Sequence, residues 1–146
     1  MNANNFTTFK FKMLLPVKFN RPLDGGSFDK KHLTDLPIIT WDEPPVNNRF
    51  YSYICFDPDA TDASFIHLMI LNCRSASLSS GSAVFDWSPP KPPKGSGEHR
   101  YIFGLFVHSY EIDTKSVKDR GGFNIKSFYE RNGLIPVAGA FMTVEY

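Results

Sequence analysis

The stretch that decides the fold runs from Arg49 to Asn72 and reads RFYSYICFDPDATDASFIHLMILN. Arg49 to Phe56 alternates, with Tyr51, Tyr53 and Cys55 on one face and Phe50, Ile54 and Phe56 on the other. Aromatic and β-branched residues at period two are the mark of a strand. Asp57-Pro58-Asp59 follows at once. Proline has no N–H and a fixed φ, so these residues form a strand end or a tight turn. Phe65 to Asn72 is an almost continuous apolar run, as expected of a central strand covered on both faces. His67 interrupts it, and a polar ring there must find a partner or face a cavity.

The same pattern extends outward. Phe6 to Lys12, Pro37 to Trp41, Ala83 to Trp87, Tyr101 to His108 and Val137 to Tyr146 are short runs of β-prone residues, punctuated by 10 Gly and 11 Pro. Helical spacing shows only in Asn124 to Asn132, where Ile125, Phe128 and Tyr129 fall at i, i+3 and i+4 and Gly133 supplies the stop. Many short strands and one or two short helices point to an all-β sandwich or barrel. No internal repeat is present. Ser88 to Gly97, SPPKPPKGSG, spaces Pro89 and Pro92 loosely as a PxxP ligand, but reads more simply as a rigid connection between strands.

A chain of 146 residues suits one domain, residues 1–146. A net charge of +1 excludes a strongly basic nucleic-acid module and a polybasic membrane anchor. Aromatics at 15%, with 14 Phe, argue for a packed core rather than disorder. Cys55 and Cys73 lie in apolar runs, away from any His at metal-ligand spacing; they read as buried, reduced thiols. Met13 to Val17 is too short for a signal-peptide core, and no run approaches the roughly 20 apolar residues of a membrane span. The expectation is a soluble, cytoplasmic protein without stable membrane insertion.

Chemistry concentrates in few places. They are the Asp57-Pro58-Asp59 turn, His67, the loop-to-strand stretch Gly95-Ser96-Gly97-Glu98-His99-Arg100-Tyr101, and the small residues Pro136 to Ala140. Glycines in such a loop let backbone approach a ligand and offer N–H groups to an anion. His32 and His108 have no such neighbours and read as surface or packing residues.

Taken in order, DPDA after a strand, a His in the next apolar strand, PPKGSGEHRY and a terminal PVAG resemble the phosphatidylethanolamine-binding protein family, which includes the Raf kinase inhibitor proteins. The resemblance covers Pro37 to Val144. It implies a β-sandwich of two antiparallel sheets with a small anion pocket at one end. The implied ligand-binding residues are Asp57, His67, Pro92, His99 and Tyr101. Two imidazoles and a phenol would supply donors to a phosphate-like anion, with Asp57 holding one imidazole. Asp59 and Arg100 are expected to form a structural pair.

The chain also departs from the family pattern. Thr61 replaces a proline, Phe65-Ile66 replaces Trp-His, and Lys91, Glu98 and Met142 stand where Gly, an apolar residue and a pocket Tyr are common. The C-terminal helix of animal members is expected to be absent. The implied function is a non-catalytic binding module for phosphate or a phospholipid head group, with no cofactor and no metal, regulating a kinase or protease by protein contact. The alternatives are a scaffold acting through surface contacts with a vestigial pocket, and a metal-dependent hydrolase built on Asp57, His67 and His99.

Overall fold

A computed structural model of the chain describes residues 10–23, 25–42, 49–60, 64–91, 94–95 and 97–145. Its frame is a six-stranded sheet in the order β1 (Met13–Leu14), β8 (Ile135–Glu145), β7 (Glu98–His108), β4 (Phe50–Asp57), β5 (Phe65–Cys73), β6 (Ser82–Phe85). The strands pair antiparallel except β1 with β8, which is parallel. A second sheet has two strands, β2 (Val17–Lys18) and β3 (Ile38–Ile39).

The alternation read in Arg49–Phe56 is the organising feature. Tyr51, Tyr53 and Cys55 enter one core together with Leu68, Tyr101, Phe103, Leu105 and Met142. Ile54 and Phe56 enter the other, with Ile66, Met69, Ile102, Phe106 and Phe141. The first core is capped by Val17 and Ile39 of the small sheet, the second by Phe128 of helix α1 (Ile125–Arg131) and by Ile112, Val117 and Leu134. Asn124 caps α1, its side chain accepting from the Ser127 N–H, and Gly133 at φ 61° stops it.

The fold is therefore mostly β with one α-helix among the described residues, but it is lopsided. In place of the expected sandwich of two antiparallel sheets there are six strands against two, and the larger sheet has one parallel pairing. The reason lies in the first 40 residues, where Pro16, Pro22, Pro37 and Gly25-Gly26 cut every apolar run to two strand residues. Of the expected run Phe6 to Lys12, residues 6–9 lie outside the described residues and 10–12 are not strand. Gly139 on β8 is required by close packing. A Cβ there would lie 2.4 Å from the Phe11 ring, so only glycine lets that segment close over the sheet.

Candidate functional site

Three adjacent strands bring the site together at one end of the large sheet. The end of β4 carries Asp57, the start of β7 carries His99 and Tyr101, and the start of β5 carries His67. Tyr101, Phe103 and Leu105 lie in the first core, and period two puts His99 on the same face. His67 reaches that face through a bulge. Cys55 pairs with Leu68 and Phe56 with Ile66, which leaves His67 as the extra residue. A bulge re-aims a side chain where an unbroken ladder would not.

Asp57, His67, His99 and Tyr101 are all buried. His99 Nδ1–H donates to Asp57 Oδ2 at 2.7 Å. The other carboxylate oxygen accepts the Asp59 N–H at 2.7 Å, closing the turn around Pro58. His67 Nδ1–H donates to the Ser88 carbonyl at 2.6 Å. A carbonyl only accepts, so Nδ1 carries the hydrogen and the neutral ring presents a lone pair at Nε2. That Nε2 has no hydrogen-bond partner among the described residues. The ring sits among aromatics, with centroids at 4.9 Å to Phe65, 5.0 Å to Tyr101 and 6.3 Å to Trp87. Burial lowers the His67 pKa; the Ser88 carbonyl and Asp57 pull it up, and Arg120 and His99 push it down, leaving it below the usual imidazole value.

Asp59 and Arg100 do pair. Asp59 Oδ2 accepts from the Arg100 backbone N–H at 3.0 Å and from Nε at 2.7 Å, and Oδ1 accepts from Nη2. Burial would raise the Asp59 carboxyl, but the bonds and charge of Arg100 outweigh it and lower the pKa. The pair ties the turn to β7. Its side chains keep 28% and 24% of their exposure. The cost of removing one partner is therefore about 1–2 kcal/mol rather than that of a fully buried pair.

Pro92 lies outside the described residues. Gly95 and Gly97 adopt φ of 82° and 83°, the left-handed backbone their glycines permit. Lys91 and Glu98 are exposed. Ile66 points into the second core, and Met142 is buried directly across from Tyr101. Phe65, noted as a departure from the family pattern, lies against His67; Trp87, Ser88 and Arg120 also belong to the site's surroundings but carried no signal of it in the sequence. Cys55 and Cys73 are free and buried, and burial raises both thiols. Among the described residues no group of three His, Cys, Asp or Glu is placed to hold a metal ion, and no helix is long and apolar enough to cross a membrane.

The comparisons with known proteins bear on the family and the fold. The family profile described as phosphatidylethanolamine-binding protein matches residues 7–139. The chain belongs to that family. A solved structure of carboxypeptidase Y inhibitor complexed with its cognate proteinase is similar at a TM-score of 0.82 and 22% identity, covering 98% of this chain and 88% of that one. The phosphatidylethanolamine-binding protein of Plasmodium vivax superposes at a TM-score of 0.75 with 15% identity, over 93% of this chain and 86% of the other. A Drosophila melanogaster relative described as "Putative odorant-binding protein A5" is 24% identical over 143 residues, 86% of this chain and 67% of that protein.

Proposed function

We propose that the chain is one non-catalytic binding domain whose site takes a small phosphoryl anion, free phosphate or a phospholipid head group, and that it acts by contact with a protein partner of the protease or kinase class. The observation that carries this reading is the His67 ring. Its Nδ1 is committed to Ser88 and its Nε2 is unpartnered, beside the Asp57–His99 pair and the Tyr101 ring. Protonation at Nε2 turns a lone pair into a charged donor without disturbing the Nδ1 bond. Tyr101 and His99 complete the donor set, and Asp57 orients His99. Arguing against catalysis, the two thiols are buried and raised in pKa, so neither is a ready nucleophile. Those reduced thiols also favour a cytoplasmic setting. A protease partner is favoured by the likeness to carboxypeptidase Y inhibitor across nearly the whole chain.

Calorimetry tests the anion site. Phosphate and phosphorylethanolamine are titrated at pH 7.5 and 5.5 in buffers of different ionisation heat. Because the His67 pKa is lowered, affinity rises as pH falls below about 6.5, the ordinary imidazole value, with proton uptake on binding. Equal affinity at both pH values, or no binding at either, rejects the imidazole site. Inhibition of carboxypeptidase Y by the purified protein tests the partner: a dose-dependent loss of peptidase activity supports it, and none at micromolar protein rejects it.

A further inference from the structure

β5 loses its outer neighbour near His67. β6 pairs with Leu71, Ile70 and Met69 and goes no further, so Ile66 and His67 lie beyond the last rung. Arg120 takes that place. Its backbone carbonyl accepts the Ile66 N–H at 2.9 Å. Its Nη1 donates to the Ile66 carbonyl at 3.1 Å and, more weakly, to the His67 carbonyl at 3.4 Å; its Nη2 donates to the Asp86 carbonyl at 2.7 Å. The guanidinium lies 5.0 Å from the Phe85 ring centroid. The Ser88 N–H gives the His67 carbonyl its second bond, at 2.8 Å. One side chain thus holds the bulge that aims His67 and the segment whose Ser88 carbonyl fixes the His67 tautomer.

The hydrogen-bond acceptors of that guanidinium are all neutral carbonyls. The ion pairs among the described residues are His99–Asp57, Arg100–Asp59 and Lys126–Glu130, and none includes Arg120. A fully buried arginine is ordinarily met by a carboxylate; Arg120 is only half-buried and is met by carbonyls and an aromatic ring. It leaves its charge uncompensated at the root of the site.

We propose that Arg120 is a positioning residue for His67 and sets the charge preference of the site, an unpaired cation that favours anionic ligands without touching them. The inference rests on the anion-binding reading. The groups facing His67 are Asp57 from β4, His99 and Tyr101 from β7, Trp87 beyond β6, and Arg120 from the segment before α1. Asp57 is the anion among them and favours a charged His67; Arg120 and His99 oppose it. Burial is the largest cause that disfavours a charged His67 and Arg120 adds to it, so an arriving anion offsets both and favours proton uptake at Nε2.

The test is an NMR pH titration of His67 in the ligand-free protein, compared across wild type, R120Q and R120K, followed by titration with inorganic phosphate at pH 5.5. R120Q keeps a donor and drops the charge. Its His67 midpoint is expected to rise by roughly half to one pH unit, and its phosphate affinity to fall about three- to tenfold. R120K keeps the charge but not the fork; it is expected to hold the wild-type midpoint and to bind phosphate more weakly than wild type by about threefold at most. An R120Q midpoint equal to wild type, or an R120K midpoint displaced as far as that of R120Q, overturns the proposal. Should R120Q fail to fold, R120K decides alone: a tenfold loss of phosphate affinity shows that the fork geometry matters and the charge does not. A shifted R120Q midpoint in a protein whose wild type ignores phosphate sinks the anion reading and leaves the control of His67 by Arg120 standing.

Discussion

His67 and His108 sit at opposite ends of the large sheet and on opposite faces, and their surroundings have opposite designs. At the His108 end both ring nitrogens are engaged. His108 Nδ1–H donates to the Tyr110 carbonyl at 2.7 Å, and the Ser52 hydroxyl donates to His108 Nε2 at 2.7 Å. Ser52 Oγ accepts the Asn72 N–H at 3.2 Å, and the Asn72 side chain exchanges two bonds with the Ile112 backbone at 2.9 and 2.8 Å. The His67 end keeps one ring nitrogen unengaged. A closed network rigidifies a core, whereas an unfilled valence within reach of a ligand is a place for chemistry. Under the proposed function, the two buried histidines of the sheet divide stability from binding.

That division can be broken by substitution. The largest effect is expected from Asn72→Ala. It leaves the buried Ile112 N–H and carbonyl without partners and puts alanine at φ 64°. Chemical denaturation should show a loss of about 3 kcal/mol, with phosphate affinity unchanged in the folded fraction. His108→Phe is expected to cost about 2 kcal/mol at neutral pH, because Ser52 and the Tyr110 carbonyl lose their partner.

The same variant should flatten the acid limb of the stability profile. Burial lowers the His108 pKa, with the Tyr110 carbonyl opposing it. Both states are neutral above about pH 6.5; below that the unfolded chain binds the proton first, so wild-type stability falls as pH drops toward the folded-state value. A phenylalanine cannot contribute to that loss. An unchanged slope between pH 6.5 and 4.5 would assign the acid lability elsewhere.

His67→Gln should behave in the opposite way, with phosphate affinity down about tenfold or more, equivalent to about 1.4 kcal/mol, and stability changed by less than that. If it instead unfolds the protein while leaving the affinity of the folded fraction intact, the two ends do not differ in role. The smallest change is expected at Tyr53. Its hydroxyl is buried and has no hydrogen-bond partner, and burial, helped by Cys73, holds its pKa far above the ordinary phenol value. Removing an unpartnered buried hydroxyl costs nothing, so Tyr53→Phe should leave stability unchanged or raise it by up to about 1 kcal/mol.

What could be read from one sequence follows the range of the interactions. The faces of Arg49–Phe56, the Asp57-Pro58-Asp59 turn and the Asn124–Asn132 helix are local patterns, and each appears where its spacing puts it. His67 stood out because a polar ring interrupts an apolar run. Its bulge did not, because a one-residue slip against β4 is a property of the pair of strands. Arg120 reaches His67 across 53 positions and Ser52 reaches His108 across 56. No local pattern ties such residues, so Arg120 drew no notice and His108 read only as a surface or packing residue. The prolines were legible as punctuation between strands, but not the short second sheet that they leave.

The parallel rung between β1 and β8 joins Met13 to Ala138 and Leu14 to Gly139, nearly the whole described length of the chain apart. A contact of that sequence separation closes late, since the loop entropy must be met before the pairing rewards it. β8 also lays Met142 and Val144 beside Tyr101 and His99. During synthesis, β4, β5 and β7 therefore leave the ribosome with their binding end present and one wall missing. Until β8 is added, β7 presents an open edge rich in Phe, Ile and Leu, the kind of edge that invites misassociation.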